Sequence, residues 1–233
     1  MGIITGRGFG QTILYIALPM MSGGMGAGVI PLSGIYAGAT GADSAQIISQ
    51  MIPASAVGNV LAIICAALIA KIGTIVPAIN GNGELMPSKD EKRSGKEMKL
   101  AGIIPAKYEE AAVQWSQFVM KNFTSALLAG IGIALLDLKV LGAALTPEFM
   151  LITVVIILTV ALCAGLFGKF VGFYPVEAAI TAGLCTNSMG GTGNIAVLSA
   201  SDRMGLIPFA QMATRLGGAL VLISASFLIT ILG

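Results

Sequence analysis

Apolar residues run along this chain in long blocks. Four of them, Ile52–Ile72, Phe118–Leu136, Met150–Phe170 and Ala210–Leu232, reach the ~20 mainly apolar residues that a helix needs to cross a bilayer, and each is predicted to be a membrane span. Two more, Gln11–Ala37 and Pro175–Ala200, are equally long but are interrupted near the centre by glycine clusters. The clusters are Ser22-Gly23-Gly24-Met25-Gly26-Ala27-Gly28 and Ser188-Met189-Gly190-Gly191-Thr192-Gly193-Asn194. A bare backbone break in hydrocarbon leaves amides and carbonyls without partners, which costs several kcal/mol per group. Such breaks persist only inside protein or beside a watery cavity. Each interrupted block is therefore read as a re-entrant hairpin, two half-helices meeting at a glycine turn, with a broken but fully crossing helix as the alternative.

An internal repeat pairs the two blocks. Gly23-Gly24-Met25-Gly26 matches Gly190-Gly191-Thr192-Gly193, Leu32-Ser33 matches Leu198-Ser199, and Gln50-Met51 and Gln211-Met212 precede the next span in each copy. Three predicted spans separate the hairpins, so hairpins that return to their own side enter from opposite faces. The predicted fold is an all-α membrane protein: a polytopic helical bundle with two re-entrant glycine-turn hairpins in inverted-repeat arrangement. Residues 1–79 hold the end of a first repeat, 80–117 a polar cytoplasmic loop with an interfacial helix, and 118–233 a second repeat.

Composition agrees with a lipid environment. Only 10% of the 233 residues are charged and 56% are hydrophobic, against about 25% charged in soluble domains, and the mean hydropathy is +0.91. A net charge of +2 gives no nucleic-acid surface. Without histidine there is no Ser/His/Asp or Cys/His arrangement, so covalent catalysis is not expected and the protein is not read as an enzyme. Cys65, Cys163 and Cys185 stand singly and read as small buried hydrophobes. Lys89, Lys92, Arg93, Lys96, Lys99 and Lys107 crowd the polar stretch, whereas Asp137 to Glu148 carries only Lys139. By the positive-inside rule the long loop is cytoplasmic, together with Lys169 and Arg203, which places the second hairpin at the cytoplasmic face and the first at the outer face. The loop itself reads as a tether, with a surface helix over Tyr108–Gln117 that holds Trp115 at the interface.

Arg215 sits inside the last span, immediately before Leu216-Gly217-Gly218. A guanidinium in a bilayer costs at least about 2.5–3.5 kcal/mol and calls for an acidic partner or a watery pocket. Glu177 is the nearest acidic candidate, and its place beside Pro175 puts it at the membrane edge. An anionic ligand is the better partner, because arginine grips a carboxylate with two parallel N–H bonds. Half-helices that start after each glycine turn would add unpaired N–H groups and a positive dipole end. Ser188 and Thr192 add hydroxyls, and Asn187 and Asn194 add amides. The alternatives are that Arg215 snorkels to the surface and that the polar side chains merely cap half-helices.

These residues resemble the 2-hydroxycarboxylate transporter family, the sodium- or proton-coupled citrate and malate carriers of bacteria. Ser22 to Gly28 with Pro31-Leu32-Ser33 is similar to its first glycine motif. Met189 to Asn194 followed by Ala196-Val197-Leu198-Ser199-Ala200-Ser201 is similar to its second. Gly172 to Leu184, and Arg203-Met204-Gly205 through Arg215-Leu216-Gly217-Gly218, extend the likeness. The resemblance implies a multi-pass protein of the bacterial cytoplasmic membrane, a homodimer, and a mobile domain that moves malate or citrate by alternating access, coupled to Na+ or H+ or by exchange. By matching position it puts Gly190, Gly191, Thr192 and Arg215 on the substrate carboxylates, with Ser188 beside them and Gly23, Gly24 and Gly26 lining the opposite half. It places the coupling cation near Asn187 and Asn194 and implies no other cofactor. Where this chain has Asn194, sodium-coupled members can carry Asp, which favours proton coupling or exchange here. The first glycine motif of the family lies well inside its first repeat, so the chain is expected to correspond to a C-terminal portion without the dimerisation surface. Two rival readings remain at this point: the membrane subunit of a sodium-pumping decarboxylase, and a non-transporting fragment.

Overall fold

The computed structural model describes residues 8–87, 115, 118, 142, 145–188 and 190–232. Met1–Pro87 and Asp137–Gly233 together form one compact unit, and Ser88–Leu136 forms another. Of the second unit, Trp115 and Phe118 are helical and exposed, with their rings stacked at 5.8 Å. Apart from Trp115, residues 88–117 of the predicted tether lie outside the described residues, as do the rest of the predicted span Phe118–Leu136 and Met189.

All regular secondary structure among the described residues is helical, with no strand among them. We label the helices α1 (Phe9–Met21), α2 (25–40), α3 (Ser44–Ile75), α4 (Pro147–Val171), α5 (175–187), α6 (Gly191–Ala200) and α7 (Ile207–Leu232). Three helices are long and apolar enough to cross a membrane: α3, α4, and α7 with the turn that leads into it. The chain is therefore a membrane protein with at least three candidate spans. Local chemistry sets their ends. The Asp43 carboxylate accepts from Ala45 N at 3.1 Å, so α3 starts at Ser44 rather than at the predicted Ile52 and continues through Pro53. Thr146 caps α4 through Phe149 N at 3.2 Å; Glu148 lies in its first turn and Lys169 in its last, each favourable to the helix dipole.

Both glycine clusters break the helix, as the sequence predicts. Between α1 and α2 the backbone passes through φ 85° at Gly23 and 104° at Gly24; between α5 and α6 it passes through φ 79° and ψ −147° at Gly190. These angles are open to glycine and strained for side-chain-bearing residues. Side-chain contacts link the two limbs of each broken segment. In the first, Tyr36 Oη donates to Leu14 O at 3.0 Å and the rings of Tyr15 and Tyr36 meet edge to face. In the second, Glu177 near its start and Arg203 just past its end form an ion pair at 3.1 Å, with the side chains 0% and 6% exposed.

That pair anchors a strap formed by the residues after α3. Glu177 Oε2 accepts from Gly81 N at 2.9 Å and Oε1 from Gly83 N at 3.3 Å. Arg203 donates to Ser201 O and to Asn80 Oδ1, and Tyr174 N donates to Leu85 O at 3.0 Å. The far end of α3 is thus tied to the open end of the second segment, while its start follows three residues after the first. Close backbone approach also joins α4 to α5. A Cβ on Gly183 would lie 3.0 Å from Ala161 Cα, and one on Gly168 would strike Ala178. Small residues of this kind let helices associate in lipid, where tails already solvate apolar side chains and dispersion must supply the attraction. The buried core gathers Ile16, Phe149, Ile157, Ile180, Leu184 and Leu198 around these contacts.

Glu177→Leu leaves the Arg203 guanidinium buried without its carboxylate. It is expected to lower stability by about 3–5 kcal/mol in thermal unfolding of the purified protein, and Glu177→Leu with Arg203→Leu recovers most of the loss. A double variant no better than the single one would show that the pair carries no such charge penalty. At the breaks, Gly190→Ala is expected to destabilise by about 1–3 kcal/mol through backbone strain. Gly26→Ala, where a Cβ meets nothing within 4 Å, leaves the melting temperature nearly unchanged.

Candidate functional site

The two glycine breaks meet. A Cβ on Gly190 would lie 3.2 Å from Gly23 O, and one on Gly23 would lie 3.1 Å from Thr214 O and 3.6 Å from Gly218 Cα. On α7, Gly218 comes so close that its Cβ would sit 2.7 Å from Ser22 O. Both turns and the middle of α7 therefore converge on one point, which only bare backbone can occupy.

Two helices start at this point without side-chain caps: α2 after Gly24, and α6 after Gly190. The first amides of a helix have no intrahelical acceptor, and they carry the positive end of its dipole. The first turn of α2 is widened, with both Gly28 N and Val29 N donating to Gly24 O, at 2.9 and 3.0 Å. Gly26 is exposed, Gly190, Gly191 and Thr192 are half-buried, and Gly23 and Gly24 are buried in the turn. Arg215 directly follows Thr214 and is exposed. Glu177 is committed to Arg203, the one ion pair among the described residues, so the acidic residue that the sequence suggested nearest Arg215 does not serve it.

Behind the turns lies a braced polar interior. Three acceptors face one arm of the buried Asn194 carboxamide, so its nitrogen is assigned there: it donates to Cys185 O at 2.9 Å and to Ser188 Oγ, while its oxygen faces the Thr214 hydroxyl at 3.0 Å. Ser188 Oγ donates to Cys185 O at 2.7 Å. Ser188 is 2% exposed, and its hydroxyl is engaged within the turn. Asn187 donates to Gly183 O at 3.1 Å, but its Oδ1 is buried with no partner among the described residues. Among those residues no cluster of three His, Cys, Asp or Glu forms a metal site.

Three features were not anticipated from the sequence. The Glu177–Arg203 pair joins residues at the two ends of one broken segment, and two opposite charges flanking an apolar stretch were the available signal. Thr214, the α7 anchor of both turns, was overshadowed by its neighbour Arg215. The side chains of Gln211 on α7 and Asn59 on α3 also reach the second turn, where a Cβ on Gly191 would lie 3.3 Å from Gln211 Nε2 and one on Gly193 would lie 2.9 Å from Asn59 Oδ1, and no spacing marks Asn59 out.

A family model described as the 2-hydroxycarboxylate transporter family matches residues 1–99 and 96–227. The chain is similar to a citrate transporter of Lactococcus lactis subsp. lactis, 43% identical over 98% of this chain and 62% of that protein. It is 40% identical to a malate transporter of Lactococcus lactis subsp. lactis (strain IL1403), over 98% of this chain and 64% of that protein. A Na(+)-malate symporter of Bacillus subtilis (strain 168) is 34% identical over 98% of this chain and 62% of its own length. The chain thus spans less than two thirds of the length of the curated relatives it matches. The family consists of transporters rather than enzymes, and with its two glycine motifs, the convergence of both on α7 and this match over most of its residues, the chain belongs to the 2-hydroxycarboxylate transporter family.

Proposed function

We propose that this chain forms the substrate-holding part of a secondary carrier of a 2-hydroxycarboxylate, malate or citrate, in the bacterial cytoplasmic membrane. One observation carries the reading: two uncapped helix starts converge beside the α7 residue that precedes Arg215. Amides at the starts of α2 and α6 and the Arg215 guanidinium are donors only, which suits carboxylates. Gly190, Gly191, Thr192 and Arg215 hold one side of the ligand, Gly23, Gly24 and Gly26 line the other, and Ser188 and Asn194 brace the turn behind them.

The geometry supports re-entrant hairpins from opposite faces. α3 has 32 residues, about 48 Å at 1.5 Å per residue, and it runs from the open end of the first segment to the strap on the open end of the second. α7 makes the return trip, since a Cβ on Gly10 would meet Leu232 O at 3.0 Å. Tips that meet between ends so far apart give an inverted arrangement with a central site, as alternating access requires. Lys71, Lys169 and Arg203 lie toward the strap, and Asp43 and Glu148 at the other end, which favours a cytoplasmic strap. The orphaned Asn187 oxygen supports a cation beside the second turn. Being neutral, it suits a weakly held Na+, with proton coupling or exchange as the other modes; the relatives' names include both plain transporters and a sodium symporter. The homodimer implied by the family resemblance completes the assembly.

Purified protein in vesicles is expected to take up labelled malate or citrate, and imposing a Na+ gradient, a proton gradient or an internal load of hydroxyacid separates the coupling modes. Folded protein without uptake would favour the non-transporting fragment. Arg215→Lys replaces a two-pronged donor with a point charge and is expected to raise KM about tenfold; an unchanged KM would favour snorkelling. A cysteine in place of Thr192 is expected to be labelled by a polar maleimide from the cytoplasmic side and protected by malate. Labelling only from outside would reverse the assigned orientation.

A further inference from the structure

The strap carries the same dipeptide twice, Asn80-Gly81 and Asn82-Gly83. An asparagine followed by glycine is open to reaction with its own main chain, because no side chain on the second residue keeps its nitrogen from the neighbouring carboxamide carbon. That nitrogen gives up its proton and bonds to Cγ, the Cγ–Nδ2 bond breaks, and ammonia leaves. Water then opens the cyclic imide at one carbonyl or the other, giving aspartate or its β-linked isomer. The chemistry is the same for both pairs, so their surroundings decide.

Asn80 is buried and locked. Its Oδ1 accepts from the Arg203 guanidinium at 2.7 Å and from Asn82 N at 3.1 Å, its Nδ2 donates to Asn82 Oδ1 at 2.9 Å, and Gly81 N is held by Glu177 at 2.9 Å. Asn82 and Gly83 are instead the central residues of a tight turn, closed by Glu84 N on Gly81 O at 3.0 Å, with φ 50° and 94°. Positive φ at both positions is the type I′ pattern that Asn-Gly favours. Asn82 is exposed and lines an open cavity of about 370 Å³, where water can reach it. Beyond the bond from Asn80, its neighbour Gly83 N reaches Glu177 at the longer distance of 3.3 Å, and a Cβ on Gly83 would meet nothing within 4 Å. A buried charge fastens the first pair, whereas the second has room and solvent.

We infer that Asn82-Gly83 is a site of spontaneous deamidation and that reaction there unfastens the strap. The β-linked product routes the main chain through the former side chain and so adds a methylene between residues 82 and 83. Gly81 N and Gly83 N both rest on the one Glu177 carboxylate, and a longer path between them draws the second off it.

Purified full chain aged in warm, mildly alkaline buffer tests both parts, with peptide mass mapping to locate the converted residue and isoaspartyl methyltransferase to mark the β-linked form. Folded protein is expected to convert Asn82 at least about tenfold faster than Asn80, the factor that one extra charge-assisted bond supplies. Denatured chain is expected to convert the two at similar rates. Ion exchange separates the aged folded protein into fractions converted and unconverted at residue 82, because conversion adds a negative charge. The converted fraction is expected to melt about 2–4 °C lower. Asn80 reacting as fast as Asn82 in folded protein, or Asn82 staying intact while denatured chain reacts, overturns the site. Fractions with the same melting temperature overturn the unfastening.

Discussion

Main chain that leaves a helix inside an apolar layer must find partners for its amides and carbonyls, and everything at the centre of this molecule follows from that demand. The two breaks pack against one another and against α7, backbone to backbone, while each bonds within itself: Gly190 N donates to Ser188 O, and Gly28 N to Gly24 O. Gly23 O lies against Gly190, Ser22 O lies against Gly218, and Thr214 O closes on Gly23. Contacts this close exclude side chains, which explains why glycine recurs at the turns and on the face of α7 that meets them. The helix starts that emerge carry no side-chain caps.

Two arginines illustrate opposite electrostatic solutions. Arg203 is buried and fully engaged, with a carboxylate, a carbonyl and an amide oxygen around it. Taking one charge out of water is tolerable there because Glu177 is buried beside it and is itself bonded by two main-chain amides. Arg215 has no such surroundings among the described residues and stays exposed next to the turns. The first charge holds a fold together, whereas the second is available.

The architecture was legible where a physical rule acts on composition. Three of the four long apolar blocks read as spans fall on candidate spans, and the glycine clusters in two further blocks marked the breaks, since glycine tolerates both the required angles and the close approach. Helix starts were less legible. The polar residues from Ser44 to Gln50 looked like a connection, but the Asp43 cap carries α3 through them. The strap was missed for a related reason: Asn80 to Leu85 reads as polar loop, and only the fold brings it over Glu177. Of the predicted site residues, Gly190 and Gly191 lie at the junction of the turns, Thr192 follows them in α6, and Arg215 follows the Thr214 that closes on Gly23. Ser188 and Asn194 were taken for groups that face a ligand or cation, but their polar atoms turn toward Cys185 O, each other and Thr214. A sequence records which polar atoms exist and not which way they point.

With its ends fastened to the bases of the two broken segments, α3 acts as a ruler. Each residue inserted in a helix adds about 1.5 Å and turns everything beyond it by about 100°. A one-residue insertion between Ser44 and Ile75 would therefore draw the two turns out of register and swing Asn59 away from Gly193. Length variation cannot be absorbed within this rod, and the spacing from Asp43 to Asn80 is a fixed dimension of the fold.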